Sequence, residues 1–518
     1  MSDPTAGAPR PGYPDPTPSA GIRPGAGAGT ATDMDPDAVG PLVLAEYAPG
    51  ASAVLTDAER WPTLDAQGAA RLERWRKHPD APSWTHATGD RLTAAQVERV
   101  RQPLPTEGWL DAHLAQARRT LRYRGMPADA PLDAYPTTRR RDLVADLGAH
   151  VPLDADLERM LHGTSSGSTG AALLIPDDVE EVARGFHLLL ALAAEAGAVV
   201  RPEGERMAVT NLVFQQQAFT YVSVISSFRH RAMARLNLHP SSWADAAARR
   251  RFLADADPHL LSGHPTSLAE LVDAGLDEVL HPDAIFSGAM ALAAPLRARL
   301  EDAFGCPVID VYGLHETRPI AARTADGPFR VLDRRVHVEV LHADRDEPVD
   351  PGEIGEITVT AGENPLLPLV RYRTRDFGRL VTLDDGGVGI ADLEGRENTR
   401  FRAGDGSLVA SVDLTQHLQA HGAEGWAVEQ RADGSVHARI AGGDADAVDR
   451  ALRALLQVPV SVERVPRVID LGDGKPRRYR SAVDEPAGGV GAVDVPAGGA
   501  GAVLGPADAG ERGGTLAG

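Results

Sequence analysis

The sequence predicts an α/β protein, with a large N-terminal α/β domain that includes a β-rich subdomain and a small α+β C-terminal domain. Three observations predict it. From residue 205, short β-like runs (RMAVTNLVF, MARLNL, HLLSG, AIFSG, PVIDVYG) alternate with helical runs (SSWADAAARRRFLADAD, TSLAELVDAGL, LAAPLRARLEDAFG), the pattern of βαβ units on a largely parallel sheet. Between 318 and 395 the helical runs vanish, and β-like runs such as VHVEVLHAD, GEIGEITVT and LVRYRTRDF take over. Residues 400–482 return to mixed patterning within a compact span.

Taken in chain order, residues 1–40 lack both a charged start and an apolar stretch, so they read as a disordered leader and not a signal peptide. The large domain is expected over 41–395. Within it, 41–150 form a helical layer broken by prolines (LTAAQVERVRQPL, LDAHLAQARRTLRYRG), with no obvious site of its own. Residues 151–317 form the α/β part, where ligands are expected outside the carboxyl ends of the strands. Residues 318–395 form the β-rich subdomain, closing one side of the sheet. The small domain is expected over 396–482: VDLTQHLQAHG as a helix, WAVEQR-ADG-SVHARIAG as a hairpin, DADAVDRALRALLQ as a helix behind an Asp cap, and VSVERV as a last strand. Residues 483–518 form a Gly/Ala/Pro tail that reads as disordered.

Bulk properties exclude several function classes. A net charge of −20 with no basic stripe argues against non-specific nucleic-acid binding. The longest apolar stretch, FHLLLALAAEAGAVV, is interrupted by Glu195 and is shorter than the roughly 20 residues that span a bilayer. A single cysteine, Cys306, excludes an intramolecular disulfide and reads as a core thiol in a reducing, cytoplasmic compartment. Only two of the 53 basic side chains are lysines, Lys77 and Lys475. Because ammonium and guanidinium are not interchangeable, each lysine invites a chemical question.

The segment LHGTSSGSTGAALLIP concentrates three glycines and five hydroxyl side chains between Gly163 and Gly170. It lacks the Lys and the directly following helix of a Walker A loop, and its glycines are not spaced as in a dinucleotide fingerprint. What remains is a loop between two extended flanks, with a helix starting only at Pro176–Asp178. Its backbone N–H groups and neutral hydroxyls suit phosphate oxygens, although a plain surface turn would show the same composition.

TSSGSTG resembles the phosphate loop of the adenylate-forming (AMP-binding) enzymes, and four further segments follow in that superfamily's order: FSGAM at 286–290, VYGLHE at 311–316, RYRTRD at 371–376 with GR at 395–396, and GDGKPRR at 472–478. Within the superfamily, LLSGHPTSLAEL and the compact length look most like the phenylacetate-CoA ligase branch. The resemblance implies an acyl-CoA synthetase-like fold whose small C-terminal domain is mobile. It also implies an ATP- and Mg²⁺-dependent ligase that activates a carboxylic acid, aromatic by branch, as an acyl-adenylate and passes it to coenzyme A. Transfer to a carrier-protein thiol or an amine, or a catalytically silent nucleotide-binding protein, are the competing readings.

By the same resemblance, Lys475 is the catalytic residue, bridging carboxylate and α-phosphate as a compact point charge. Thr164, Ser165, Ser166, Gly167, Ser168, Thr169 and Gly170 would hold the β- and γ-phosphates. Ser287, Gly288, Ala289, Asp310, Tyr312 and Gly313 would line the adenine and acyl region, with Tyr312 stacking on adenine. Asp376 would accept the ribose hydroxyls, Arg396 would bind ribose or phosphate oxygens, and Glu316 would help hold Mg²⁺. Phe214, Phe219 and Tyr221 are further pocket candidates. The sequence departs from the superfamily pattern at Ala171-Ala172, where Lys-Pro is frequent, at His315, where threonine is usual, at Arg375, where glycine is usual, and at Glu397-Asn398-Thr399, where an acidic pair is usual.

Overall fold

A computed structural model describes residues 55–165, 173–202, 204–216, 218–395, 399–472 and 478–482. The expected leader and tail therefore lie outside the described residues.

The N-terminal layer is helical, as its patterning predicts: α1 (Asp57–Arg60), α2 (Ala66–Arg76), α3 (Ala94–Val100) and α4 (Trp109–Ala117). Thr56 and Thr93 each close a capping box at a helix start, so the hydroxyl residues ahead of the periodic runs do set these boundaries. A two-residue strand, β1 (Thr138–Arg139), then leads straight into α5 (Arg140–Ala145).

The glycine and hydroxyl segment is framed by an antiparallel hairpin of β2 (Leu161–Ser165) and β3 (Leu173–Asp177), with Leu161 opposite Asp177 and Ser165 opposite Leu173. Extended flanks were expected here. Helix α6 (Val179–Glu195) follows, and its N-cap Asp178 accepts from the backbone N–H groups of Glu180 and Glu181. The expected start at Pro176–Asp178 is met only at Asp178, because Pro176 and Asp177 are the last residues of β3. No helix among the described residues is long and apolar enough to cross a membrane.

The α/β part runs β4 (Val209–Val213), β5 (Tyr221–Ile225), β6 (Arg231–Asn237), α7 (Ala246–Ala256), β7 (Leu260–Gly263), α8 (Pro265–Asp273), β8 (Ala284–Gly288), α9 (Ala294–Phe304) and β9 (Val308–Leu314). Strands β6, β4, β7, β8 and β9 are parallel neighbours in that order. Residues alternate between two cores. Val209, Met233, Leu260, Phe286 and Ile309 pack with Phe186 and Leu189 of α6, whereas Ala234, Leu261, Ile285 and Val308 face Phe252, Leu268 and Leu296 of α7, α8 and α9. Helices thus cover both faces, the reason these strands read as continuous apolar runs.

Next come β10 (Arg318–Arg323), β11 (Phe329–Val331), β12 (Val336–Leu341), β13 (Gly355–Ala361), β14 (Leu369–Thr382) and β15 (Val388–Glu394). The sequence predicts a subdomain closing one side of the sheet. These strands in fact continue the same hydrogen-bonded ladder, in the order β12-β13-β14-β15-β11-β10-β9-β8-β7-β4-β6-β5, with β1 parallel to β14. The switch from parallel to antiparallel falls at the β9–β10 hairpin, where Gly313 lies so close to the returning chain that a Cβ would sit 2.4 Å from the Arg318 carbonyl oxygen.

The C-terminal part follows the expected order: a short hairpin of β16 (Arg400–Arg402) and β17 (Leu408–Ala410), then α10 (Ser411–Ala420), β18 (Ala423–Gln430), β19 (Val436–Gly442), α11 (Ala445–Leu456), β20 (Val460–Val465) and β21 (Tyr479–Ser481). Asp444 caps α11 through the N–H groups of Asp446 and Ala447. Ionic contacts tie this part to the sheet's helices: Arg299 of α9 bridges Asp273 at 2.6 Å and Glu424 at 2.8 Å, and Arg467 lies 3.4 Å from Glu270.

Candidate functional site

The expected site residues gather at the carboxyl ends of β8 and β9, and alternation along β9 sorts them onto two faces. Val308, Asp310, Tyr312 and Leu314 point one way, Ile309, Val311 and Gly313 the other. On the first face, the Tyr312 hydroxyl donates to Asp376 Oδ2 at 3.0 Å, bringing together two residues that lie 64 apart in sequence. Asp376 is placed by an unusual turn in β14. Arg375 has φ +67, its N–H donates to Glu356 Oε1 at 3.0 Å, and the N–H of Asp376 donates to Thr374 Oγ1 at 3.0 Å. A left-handed residue here explains why glycine suits the position. Ala289, directly after β8, is also left-handed at φ +64.

Asp310 has a different fate from the one expected. It is 2% exposed, accepts from Arg323 at 2.9 Å and has Arg297 at 3.8 Å, so its carboxylate is committed to a buried ion cluster and not to a ligand surface. Burial raises its pKa despite both arginines.

Glu316 follows β9 and is buried, with Oε1 accepting from Arg140 Nη1 at 2.7 Å. Arg140 comes from the helical layer, for which the sequence suggested no site. Its placement follows from β1, whose parallel pairing with Tyr372 and Arg373 of β14 delivers the start of α5 beside β9. Among the described residues no group of three or more His, Cys, Asp or Glu side chains forms a metal cage. A lone buried carboxylate nevertheless suits Mg²⁺ carried in on phosphate oxygens, which asks for only one or two protein carboxylates.

The opposite face of β9 borders a cavity of about 40 Å³, bounded by α6, β8, β9 and β10. Gly288, Val311 and Gly313 form part of its wall, and Ser287, expected with the nucleotide groups, lies here too. An ionic group surrounds it. Arg318, left-handed at φ +61, contacts Asp177 and donates to Glu181 Oε1 at 2.9 Å; Arg334 Nε donates to Glu363 Oε1 at 2.6 Å. His315 lies 3.9 Å from Asp177. Burial pushes Asp177 up to about 7 against the pull of Arg318, while the two carboxylates hold Arg318 protonated.

The sequence analysis missed Asp177, Glu181, Arg318, Arg334 and Arg140. Asp177 ends β3 and Glu181 lies in the first turn of α6, a signal hidden in an acidic helix start. The arginines are indistinct in a chain so rich in that residue. Phe214, Phe219 and Tyr221 do not border the cavity: Phe214 packs on His239, Phe219 on His86, and Tyr221 sits on the edge strand β5. Thr164 and Ser165 belong to strand β2 and not to the loop proper. Ser166, Gly167, Ser168, Thr169, Gly170, Arg396 and Lys475 lie outside the described residues, as does the departure at Glu397-Asn398. Arg478, three residues after Lys475, donates to the Ala291 carbonyl beside the β8 end of the site. Cys306 is half-buried, and burial pushes its thiol up to about 12, as suits a packing role.

Comparison with known proteins agrees with this geometry. Residues 183–364 match the family described as AMP-binding enzyme, so the resemblance to adenylate-forming enzymes is borne out over that segment. The chain is 28% identical to a phenylacetate-coenzyme A ligase of Pseudomonas putida over 152 residues, 27% of this chain and 34% of that one. It is 28% identical to the enzyme of the same name from Escherichia coli (strain K12) over 155 residues, 27% of this chain and 35% of that one. These matches span about a third of the length of the curated relatives. Among solved structures, a 2-hydroxyisobutyryl-CoA ligase in the postadenylation state with 2-HIB-AMP shares the fold, at 15% identity and a TM-score of 0.54 over 74% of this chain and 88% of that one.

Proposed function

We propose that this chain is an ATP-dependent ligase that activates a carboxylic acid as its acyl-adenylate and transfers the acyl group to coenzyme A. The observation that carries this reading is the pairing of Tyr312 with Asp376 on one face of β9, directly behind a cavity on the other. A nucleotide on the first face and an acid in the second would meet at the end of one strand, the arrangement that joining them requires.

In the first half-reaction an acid oxygen attacks the α-phosphorus, the bond between the α-phosphorus and its bridging oxygen breaks, and pyrophosphate leaves. Asp376 accepts the ribose hydroxyls, Tyr312 covers the adenine, and the residues 164–170 surround the β- and γ-phosphates. Lys475 supplies the positive charge between carboxylate and α-phosphate. Glu316, held by Arg140, is the residue that would bind Mg²⁺, which would neutralise triphosphate charge. In the second half-reaction the coenzyme A sulfur attacks the acyl carbon and AMP leaves, after movement of the C-terminal part. The acid is aromatic, a reading supported by the name of the phenylacetate-coenzyme A ligase relatives.

The test is acid-dependent ATP–pyrophosphate exchange. Exchange with at least one aromatic acid, falling about 100-fold or more in Lys475→Ala, is expected. No exchange across a broad panel of acids would overturn the reading. Free coenzyme A failing to yield a thioester while exchange proceeds would overturn the acceptor alone.

A further inference from the structure

Asp376 reaches the Tyr312 face because β14 bulges where it passes β13. Glu356 of β13 stands opposite Phe377 and Thr358 opposite Arg373, so Ile357 alone faces Thr374, Arg375 and Asp376. Such a bulge turns the strand aside and re-aims the side chains it carries. Three hydrogen bonds close it. The Thr374 hydroxyl donates to the Ile357 carbonyl at 2.7 Å, the Asp376 N–H donates to Thr374 Oγ1 at 3.0 Å, and the Arg375 N–H donates to Glu356 Oε1 at 3.0 Å. The third ties the left-handed Arg375, at φ +67, to a side chain of the neighbouring strand. A residue with a Cβ is uncommon at such a φ and persists where its surroundings hold it. Glu356 is 2% exposed, and its other oxygen, Oε2, accepts from Arg373 Nε at 2.7 Å and Nη2 at 2.6 Å. These two bonds to a rigid guanidinium fix the plane of the carboxyl group and so aim Oε1.

We propose that Glu356 is a positioning residue for nucleotide binding: through the Arg375 N–H it holds the bulge that aims the Asp376 carboxylate at the ribose hydroxyls. This rests on the nucleotide half of the adenylation reading above, in which Asp376 takes the ribose, and adds a residue that touches no ligand. The chain of contacts is short. Glu356 holds the N–H of Arg375, Asp376 is the next residue, and its Oδ2 accepts from the Tyr312 hydroxyl at 3.0 Å. Two neighbouring hydroxyls need both carboxylate oxygens in one orientation, so a twist of the backbone at Asp376 loses a bond even where the charge stays in place. Arginine stands at 375 where glycine would take φ +67 freely, which makes the tie from Glu356 matter in this chain. Glu356 also neutralises the buried Arg373, a duty shared with Asp346, at 2.7 Å from Arg373, and with the carbonyls of Arg345 and His342. The two duties use different oxygens, so variants can separate them.

The test is discrimination between ATP and 2′,3′-dideoxy-ATP by the full chain, read as a ratio of kcat/KM in ATP–pyrophosphate exchange and as a ratio of calorimetric affinities without acid. The native protein should favour ATP by at least about 10-fold, because a site built to bond hydroxyls rejects the analogue that lacks them. In Glu356→Ala the ratio should fall toward one, with the KM for the acid little changed. Arg375→Gly alone should keep the native ratio, and combined with Glu356→Ala it should restore most of it, since glycine takes the left-handed turn unaided. An effect that ran only through Arg373 would persist in that double variant. Glu356→Gln fills the same space, and its one acceptor oxygen cannot serve both Arg373 and the Arg375 N–H, so the ratio should fall there too, whether or not the alanine variant folds. An unchanged ratio in Glu356→Gln, or a fall in Glu356→Ala that Arg375→Gly does not restore, would overturn the positioning role while leaving adenylation standing. The expected pattern in binding, without exchange for any acid, would uphold the positioning role and overturn adenylation. Exchange with no native preference for ATP would take the ribose from Asp376 and overturn the positioning role with it.

Discussion

The two faces of β9 present opposite economies of polar groups. On the Asp310/Tyr312 side each named carboxylate has a partner within the chain: Asp310 meets Arg323 and Arg297, and Asp376 meets the Tyr312 hydroxyl. On the Val311/Gly313 side Ser287 Oγ, Glu181 Oε2 and Arg334 Nη1 are buried without a hydrogen-bond partner, in side chains that border a cavity. In the proposed reading the Tyr312 face takes the nucleotide, a ligand common to all such reactions, so recurring residues at fixed spacing can build it. In the same reading the Val311 face takes the acid, and the charged residues around it are announced by no motif.

Four variants would break or sharpen this contrast. The largest effect is expected for Glu316→Gln at the strand's end, which should lower kcat/KM about 100-fold and raise the Mg²⁺ concentration needed for half-maximal exchange; an unchanged Mg²⁺ titration would remove Glu316 from the metal. Gly313→Ala comes next. Its Cβ would meet the Arg318 carbonyl and the Pro319 Cα, so the hairpin that shapes the acid face should lose about 1–3 kcal/mol in denaturant unfolding.

Asp177→Asn concerns the charge beside Arg318. A carboxyl whose folded pKa is raised to about 7 from 3.8 loses stability as pH rises between those values, because the unfolded chain ionises first. The native protein's melting temperature should therefore decline across that window partly through Asp177, whose neighbours are Arg318, Glu181, Asp178 and His315. The Asn variant should flatten the decline, and an equally steep curve would show that Asp177 is ionised throughout. The smallest effect is expected for Arg375→Gly beside Asp376. Relief of a left-handed arginine, offset by glycine's greater freedom when unfolded, should raise stability by up to about 1 kcal/mol, read from the same unfolding curves.

The same contrast explains what could be read from the sequence. The order of elements in 400–482 was legible because caps and turns there act locally: Asp444 does cap α11, and the ADG turn does join β18 to β19. The alternation of β4 to β9 with α7 to α9 was legible because parallel strands buried on both faces must be apolar. Continuity of β10–β15 with that sheet was not, since strand pairing is a long-range choice that no local pattern encodes. In the site, Tyr312, Glu316 and Asp376 could be named because they belong to spaced motifs. Arg140 reaches Glu316 only through the pairing of β1 with β14, and Arg318 meets Asp177 and Glu181 only because the end of β3 and the first turn of α6 lie beside the start of β10.

The most direct test of the two-faced strand is the split of Michaelis constants in ATP–pyrophosphate exchange for Asp376→Asn and Val311→Phe, the second of which fills the cavity. The account predicts that Asp376→Asn raises the KM for ATP about 10-fold with little change for the acid, through loss of charged hydrogen bonds, and that Val311→Phe raises the KM for the acid with little change for ATP. Both variants shifting the same constant would contradict the assignment of nucleotide and acid to opposite faces of β9.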